Sequence, residues 1–140
     1  MSIATILLPL FVQVFLIFAL LIWMGVRRSA DLKSGTVRFG QIALREPNWT
    51  PRTLQAAYAF SNQFEIPVLF FVLTILVIIT RHADFIFLIL AWIFVATRVL
   101  HALVYVTSNN LRLRSSIFAI GVLVLFVMWA LFAIQILAGI

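Results

Sequence analysis

Cysteine is absent from the 140-residue chain. This removes disulfide frameworks, thiolate chemistry of the protein's own, and zinc sites built on cysteine. Charge is scarce as well: only 10% of residues are Asp, Glu, Lys or Arg, where soluble chains carry about 25%. Disorder is excluded, because a disordered chain needs low hydrophobicity and high charge, and here 65% of residues are apolar. A water-soluble domain is excluded on the same figures. His101 has no second histidine at ligand spacing, so no metal site is expected. No internal repeat is evident. The class that remains is an integral membrane protein, and the question becomes what its few polar residues do.

A membrane-crossing helix needs about 20 mostly apolar residues. Ile3 to Val26 supplies one, interrupted only by Thr5, Pro9 and Gln13, and Ser115 to Ile140 supplies another, with Gln135 near its end. The runs Ile66–Ile79 and Phe85–Thr97 are too short alone and must extend through ionisable residues. The expected architecture is all-α: one domain over residues 1–140, an integral membrane four-helix bundle with spans at about 3–26, 56–80, 84–106 and 115–138. Thr50-Pro51 reads as an N-cap and first-turn proline, so the second helix can begin early, among the headgroups. A cleaved signal peptide fits poorly. No basic residue precedes the first run, and the run exceeds a signal core.

Charge sets the expected orientation. The loop from Arg27 to Gln55 holds Arg27, Arg28, Lys33, Arg38, Arg45 and Arg52 against Asp31 and Glu46, and the segment Thr107–Arg114 adds Arg112 and Arg114. The hairpin around Arg81 and Asp84 is balanced. Basic loops stay in the cytoplasm, which places both termini outside, in a lumen or periplasm. The basic excess flanks spans, so it is read as anchoring to anionic lipid headgroups rather than as a nucleic-acid surface.

Ionisable groups within a span are expensive and point to function. The second span carries Tyr58, Asn62 and Glu65; the third carries Arg98, His101 and Tyr105. Spacings of three and four put each set on one helix face. Glu65 and Arg98 lie equally far from the hairpin midpoint at Arg81-His82, as do Asn62 and His101, and Tyr58 and Tyr105. With straight helices and a tight turn, three polar layers stack, and the Glu65–Arg98 layer lies roughly 25 Å from the turn at ~1.5 Å per residue. One outcome is a buried Glu65–Arg98 ion pair that only fixes register. The other is a hydrophilic pocket near the cytoplasmic edge. Arg112, Arg114 and Ser115 can anchor the last helix at the interface or form an anion clamp. Gln13 and Gln135 are expected as interhelical hydrogen-bond partners.

These residues resemble the MAPEG superfamily, membrane-associated proteins in eicosanoid and glutathione metabolism, in a bacterial-type branch. Asn62-Gln63-Phe64-Glu65-Ile66-Pro67 is similar to the family's second-helix signature. Arg98-Val99-Leu100-His101-Ala102-Leu103-Val104-Tyr105 is similar to its third-helix pattern Arg-x-x-His-x-x-x-Tyr. Arg114-Ser115 resembles the Arg-Ser pair of the prostaglandin-forming branch. The resemblance implies a homotrimer of four-helix protomers, with glutathione as co-substrate between neighbours at the cytoplasmic side. Asn62 and Glu65 would contact the tripeptide, and Arg98, His101 and Tyr105 would form the other wall. Arg114 and Ser115 would act on the thiolate, with Arg27 or Arg28 near the end of the first helix. One departure stands out. Glutathione-using members usually carry arginine four residues before the asparagine, and Tyr58 stands there. Losing such a charge-assisted contact costs about 1.5–3 kcal/mol, and Arg52 is the nearest substitute in sequence.

The resemblance implies a glutathione-dependent transferase or peroxidase acting on lipophilic electrophiles, with Arg114 and Ser115 as catalytic residues. Asn62, Glu65, Arg98, His101, Tyr105, Tyr58 and Arg52 would bind glutathione. Expected partners are the lipid bilayer, a lipophilic small molecule and two further copies of the chain, and no nucleic acid. A non-catalytic membrane protein that holds a lipid or partner helix in the same pocket is the alternative, favoured by Tyr58. A channel or transporter is a third reading, set against by polar residues crowded at one side.

Overall fold

A computed structural model describes residues 1–140. The chain is all-helical, with no strand. Its helices are α1 (Ile3–Lys33), α2 (Pro51–Ser61), α3 (Ile66–Ile79), α4 (Phe85–Val106) and α5 (Leu111–Ala138). They make four membrane-spanning segments, because α2 and α3 together form one of 29 residues, Pro51–Ile79.

Three helix boundaries differ from the sequence expectation, each for a local reason. The first helix continues past Val26 to Lys33, carrying Arg27 and Arg28 inside it. At ~1.5 Å per residue it is far longer than a hydrocarbon core about 30 Å thick, so its basic end stands clear of the apolar slab. The second span starts at Pro51, directly after Thr50, as the Thr-Pro pair suggests. The last helix begins at Leu111 rather than Ser115, because the Asn110 side chain accepts from Leu113 N–H at 3.2 Å and caps it.

Thr50 occupies the N-cap position of α2 but does not cap it with its own side chain. Its hydroxyl instead donates to the buried carboxylate of Asp31 on α1, at 2.9 Å to Oδ2, and its N–H donates to the same oxygen at 3.3 Å. Arg27 lies 3.9 Å from Asp31 Oδ1. Asp31 thus places a negative charge at the start of α2, where the helix dipole favours one, and locks the long basic loop to α1.

The second span is broken in its middle. Residues Asn62–Phe64 form a 3₁₀ turn, and Glu65 leaves the helical region at φ −99°, ψ −108°. Pro67 contributes to this: it has no N–H to offer the Gln63 carbonyl, and its ring clashes with a carbonyl at that position, so the helix restarts at Ile66 with the proline in its first turn. The break is stitched by two glutamines. Buried Gln63 donates from Nε2 to the Ala59 carbonyl at 3.1 Å and accepts from Gln13 Nε2 of α1 at 2.7 Å. At the other end of the bundle Gln135 of α5 donates to Asp84 Oδ2 at 3.2 Å, and Asp84 Oδ1 caps α4 through Phe87 N–H at 2.7 Å. Both glutamines are interhelical partners.

The main core lies toward the α3–α4 turn. Phe70, Leu73 and Val77 of α3 meet Phe87, Ala91, Phe94 and Val95 of α4, with Leu125 and Met128 of α5 and Ile6 of α1 closing the cluster. A smaller core nearer the basic loops joins Leu20, Ala59 and Ala102, where two alanines let the helices approach. The outward faces stay apolar: Phe15, Leu123 and Phe126 are all well exposed, as expected where the surrounding solvent is lipid.

Candidate functional site

The polar residues of the two middle spans fall into two groups that do not touch. The first group lies along the seam of α4 and α5. Arg98 is 2% exposed and points at α5: its Nη2 donates to the Phe118 carbonyl at 3.4 Å, and its guanidinium sits 5.2 Å from the Phe118 ring and 5.5 Å from the Phe94 ring. Its Nε has no partner. Gly121 makes this possible. A Cβ there would overlap Arg98 Nη2 and lie 2.7 Å from Thr97 Oγ1. One turn on, buried His101 packs edge-on to Tyr105 at 5.8 Å and tilted against Phe118 at 5.7 Å. Arg114 closes the row, with its guanidinium 4.1 Å from the Tyr105 ring and Nη1 donating to Asn109 Oδ1. Asn109 holds a left-handed backbone at φ 50°, which its short polar side chain tolerates. Ser115 is exposed beside this row, in the opening turns of α5.

The second group lies on the α2–α3 face. Tyr58 and Glu65 are exposed and Asn62 is half-exposed. Their neighbours on that surface are Phe64, Val68 and Leu69, all well exposed. Glu65 has no ion-pair partner, since the chain's ion pairing is confined to Arg27 and Asp31.

The expected Glu65–Arg98 contact is therefore absent, and the layered niche within one protomer is not formed. The depths do match: Glu65 lies fourteen residues before the end of α3 and Arg98 thirteen after the start of α4, roughly 20 Å in each case at ~1.5 Å per residue. The directions do not match. Arg98 turns to α5, and the break before Pro67 carries Glu65 outward.

Tyr58 opens onto a cleft of about 410 Å³ beneath the α1–α2 loop. Arg28, Arg45 and Glu46 line it, with Trp49 and Ser61. Arg28 is braced there, 5.1 Å from the Trp49 ring. Arg52, the substitute suggested by sequence proximity, is not among the lining residues; it stacks 6.0 Å over Trp23 instead. The arginines around this cleft are not the one nearest to Tyr58 in sequence: Arg28 comes from another helix and Arg45 from a loop whose backbone turns at φ 65°. Asn109, Gly121 and Phe118 also escaped the sequence reading. Only Asn109 left a signal, as an Asn-Asn pair before a helix.

A search of known protein families finds a match to the sequence profile of the MAPEG family over residues 6–134. The chain belongs to the MAPEG family. The match covers nearly all of it, including α1 through most of α5. No curated protein matches the chain, and neither does any solved structure. Membership makes it an integral, multi-pass membrane protein of the glutathione and eicosanoid metabolism type.

Proposed function

We propose that this MAPEG protein is a glutathione-dependent transferase or peroxidase acting on lipophilic electrophiles, and that it works as a homotrimer with glutathione held between neighbouring protomers. One observation carries the reading. Glu65 is an exposed acid on an apolar face at membrane depth, while the seam of α4 and α5 collects arginines with no acid. A charged side chain facing hydrocarbon carries a cost, which falls from the bilayer centre toward its edge. Docking the acidic face of one copy near the cationic seam of the next removes that cost and puts opposite charges on two walls of one pocket.

Within that pocket the roles follow from chemistry. Glu65 and Asn62 suit the amino end of the tripeptide, as acceptor and as amide partner. Arg28 and Arg45, opening on the Tyr58 cleft, supply the guanidinium forks for a carboxylate that Tyr58 itself cannot supply. Half-exposed Tyr105 and Arg114 form the opposite wall, with Arg98 and His101 buried behind them and adding positive potential. The co-substrate contributes a thiol, which at a free pKa of about 8.5 is mostly protonated at neutral pH. Arg114, held by Asn109 and Tyr105 in the first turns of α5, favours the thiolate together with the helix N-terminus, and Ser115 is placed to donate a hydrogen bond to it. Lipophilic substrate reaches the pocket from the bilayer. The basic loops face the cytoplasm and both termini face outside, following the charge asymmetry.

The test is conjugation of 1-chloro-2,4-dinitrobenzene by purified protein with glutathione, in which a carbon–sulfur bond forms and chloride leaves. Turnover is expected from the native protein, with at least a tenfold loss in Arg114→Ala. Turnover no higher than that of Arg114→Ala would remove Arg114 from the mechanism. The second reading, non-catalytic binding of a lipid or partner helix, is favoured by Tyr58. It predicts no thermal stabilisation by glutathione, whereas the enzyme reading predicts a saturable one.

A further inference from the structure

A second hollow lies at the end of the bundle away from the basic loops, between α3, α4 and α5. Its volume is about 190 Å³. Val77, Phe87, Leu90, Met128, Leu131 and Phe132 form its apolar walls, and three of them (Val77, Phe87 and Met128) belong to the buried core. An apolar cavity of ~150 Å³ accepts benzene, so this one has room for a single aromatic ring. Its polar lining sits on the α3–α4 turn and late α5: His82, Asp84 and Gln135.

The carboxylate of Asp84 is the charged group of this lining. It accepts from Phe87 N–H and from Gln135, two of about four lone-pair positions. No lysine or arginine lies within ion-pair distance, because the chain's ion pair is Arg27 with Asp31 at the opposite end. Arg81, three residues away, is exposed on a left-handed turn. His82 Nε2 is 3.0 Å from the backbone oxygen of Ile140. That contact turns Nε2 toward Ile140 and away from Asp84, with which the ring makes no ion pair.

We propose that this hollow is a binding site for a small lipophilic amine, with its ring among the apolar walls and its ammonium on Asp84. A carboxylate with spare lone-pair positions and no cation paired to it, beside an apolar cavity, attracts a cation and rewards burial of the attached ring. The glutathione reading plays no part in this inference, and the two sites lie at opposite ends of the protomer.

The experiment uses purified full-length protein with 4-phenylbutylamine and its neutral analogue 4-phenylbutan-1-ol, read by thermal shift and calorimetry. The amine is expected to stabilise the protein saturably, with the alcohol at least tenfold weaker. Asp84→Asn keeps the α4 cap, because asparagine caps as well as aspartate, and should bring the amine down to the alcohol's affinity. Leu131→Trp, which fills the hollow from its exposed rim, should abolish both responses. Equal affinity for amine and alcohol, an undiminished response in Asp84→Asn, or no saturable response in the native protein would overturn the proposal.

Discussion

Two polar regions at the same depth of this protein are treated in opposite ways. Along the seam of α4 and α5, Arg98 and His101 are buried, roofed by Phe118 and admitted by Gly121. On the α2–α3 face, Glu65 and Tyr58 are left open among apolar neighbours. Burying a cation with one carbonyl and two aromatic faces is costly, although guanidinium tolerates it better than an ammonium does. Leaving a carboxylate toward lipid is costly as well. A single protomer carries both costs, and cancels neither by pairing the charges. The difference teaches that the polar inventory is divided between two surfaces, each of which supplies half of a site in the proposed assembly.

That division can be attacked from its most rigid point. Gly121→Leu forces a branched side chain into the space of Arg98 Nη2 and Thr97 Oγ1. Overpacking of this kind costs about 1–3 kcal/mol, and it should lower the midpoint of unfolding in detergent more than any other change considered for this seam. If the midpoint is unchanged, Arg98 does not sit against α5.

A smaller effect is expected at the brace of Arg114. Asn109→Gly keeps the left-handed turn that glycine tolerates but removes the acceptor of Arg114. The stability loss should be about 1.5 kcal/mol, at the low end for a hydrogen bond to a charged group. Turnover with glutathione should drop severalfold while the affinity for glutathione changes little. Unaltered turnover would show that the orientation of Arg114 has no bearing on the reaction.

The smallest effect is predicted for the acidic face. Glu65→Gln removes a charge that has no partner within the protomer, so monomer stability should move by less than about 0.5 kcal/mol. Combined with Arg98→Met, the two changes should add within about 0.5 kcal/mol. A larger coupling measured in the isolated protomer would restore the ion pair that the sequence suggested.

The depth of the site was legible in the sequence and its direction was not. Counting residues from the α3–α4 turn puts Glu65 and Arg98 at one level, because helical rise is uniform. Facing depends on unbroken helical phase, and Pro67 interrupts it. A 3₁₀ turn advances three residues per turn instead of 3.6, so counting along a straight helix could not show that the face holding Tyr58, Asn62 and Glu65 turns away from Arg98. The four spans were legible from apolar runs alone. Their ends were less so, since an apolar run marks hydrocarbon, whereas the helix continues until its caps are met at Asp31–Thr50 and at Asn110. The cleft beside Tyr58 was hidden because Arg28, Arg45 and Trp49 meet only after the loop folds back on α1.

The central claim is that the acid and the cations of one working site come from different chains, and mixed oligomers test it directly. Glu65→Gln and Arg114→Ala, each expected to lose at least tenfold in turnover alone, are co-expressed with separate tags, and the assemblies carrying both tags are purified. If each site takes Glu65 from one copy and Arg114 from the next around a closed ring of three, every ring that carries both variants keeps one of its three sites with both native halves, and conjugation should return to about a third of the native level. Mixed assemblies with no activity above either parent would place both residues in one protomer's site and contradict the account.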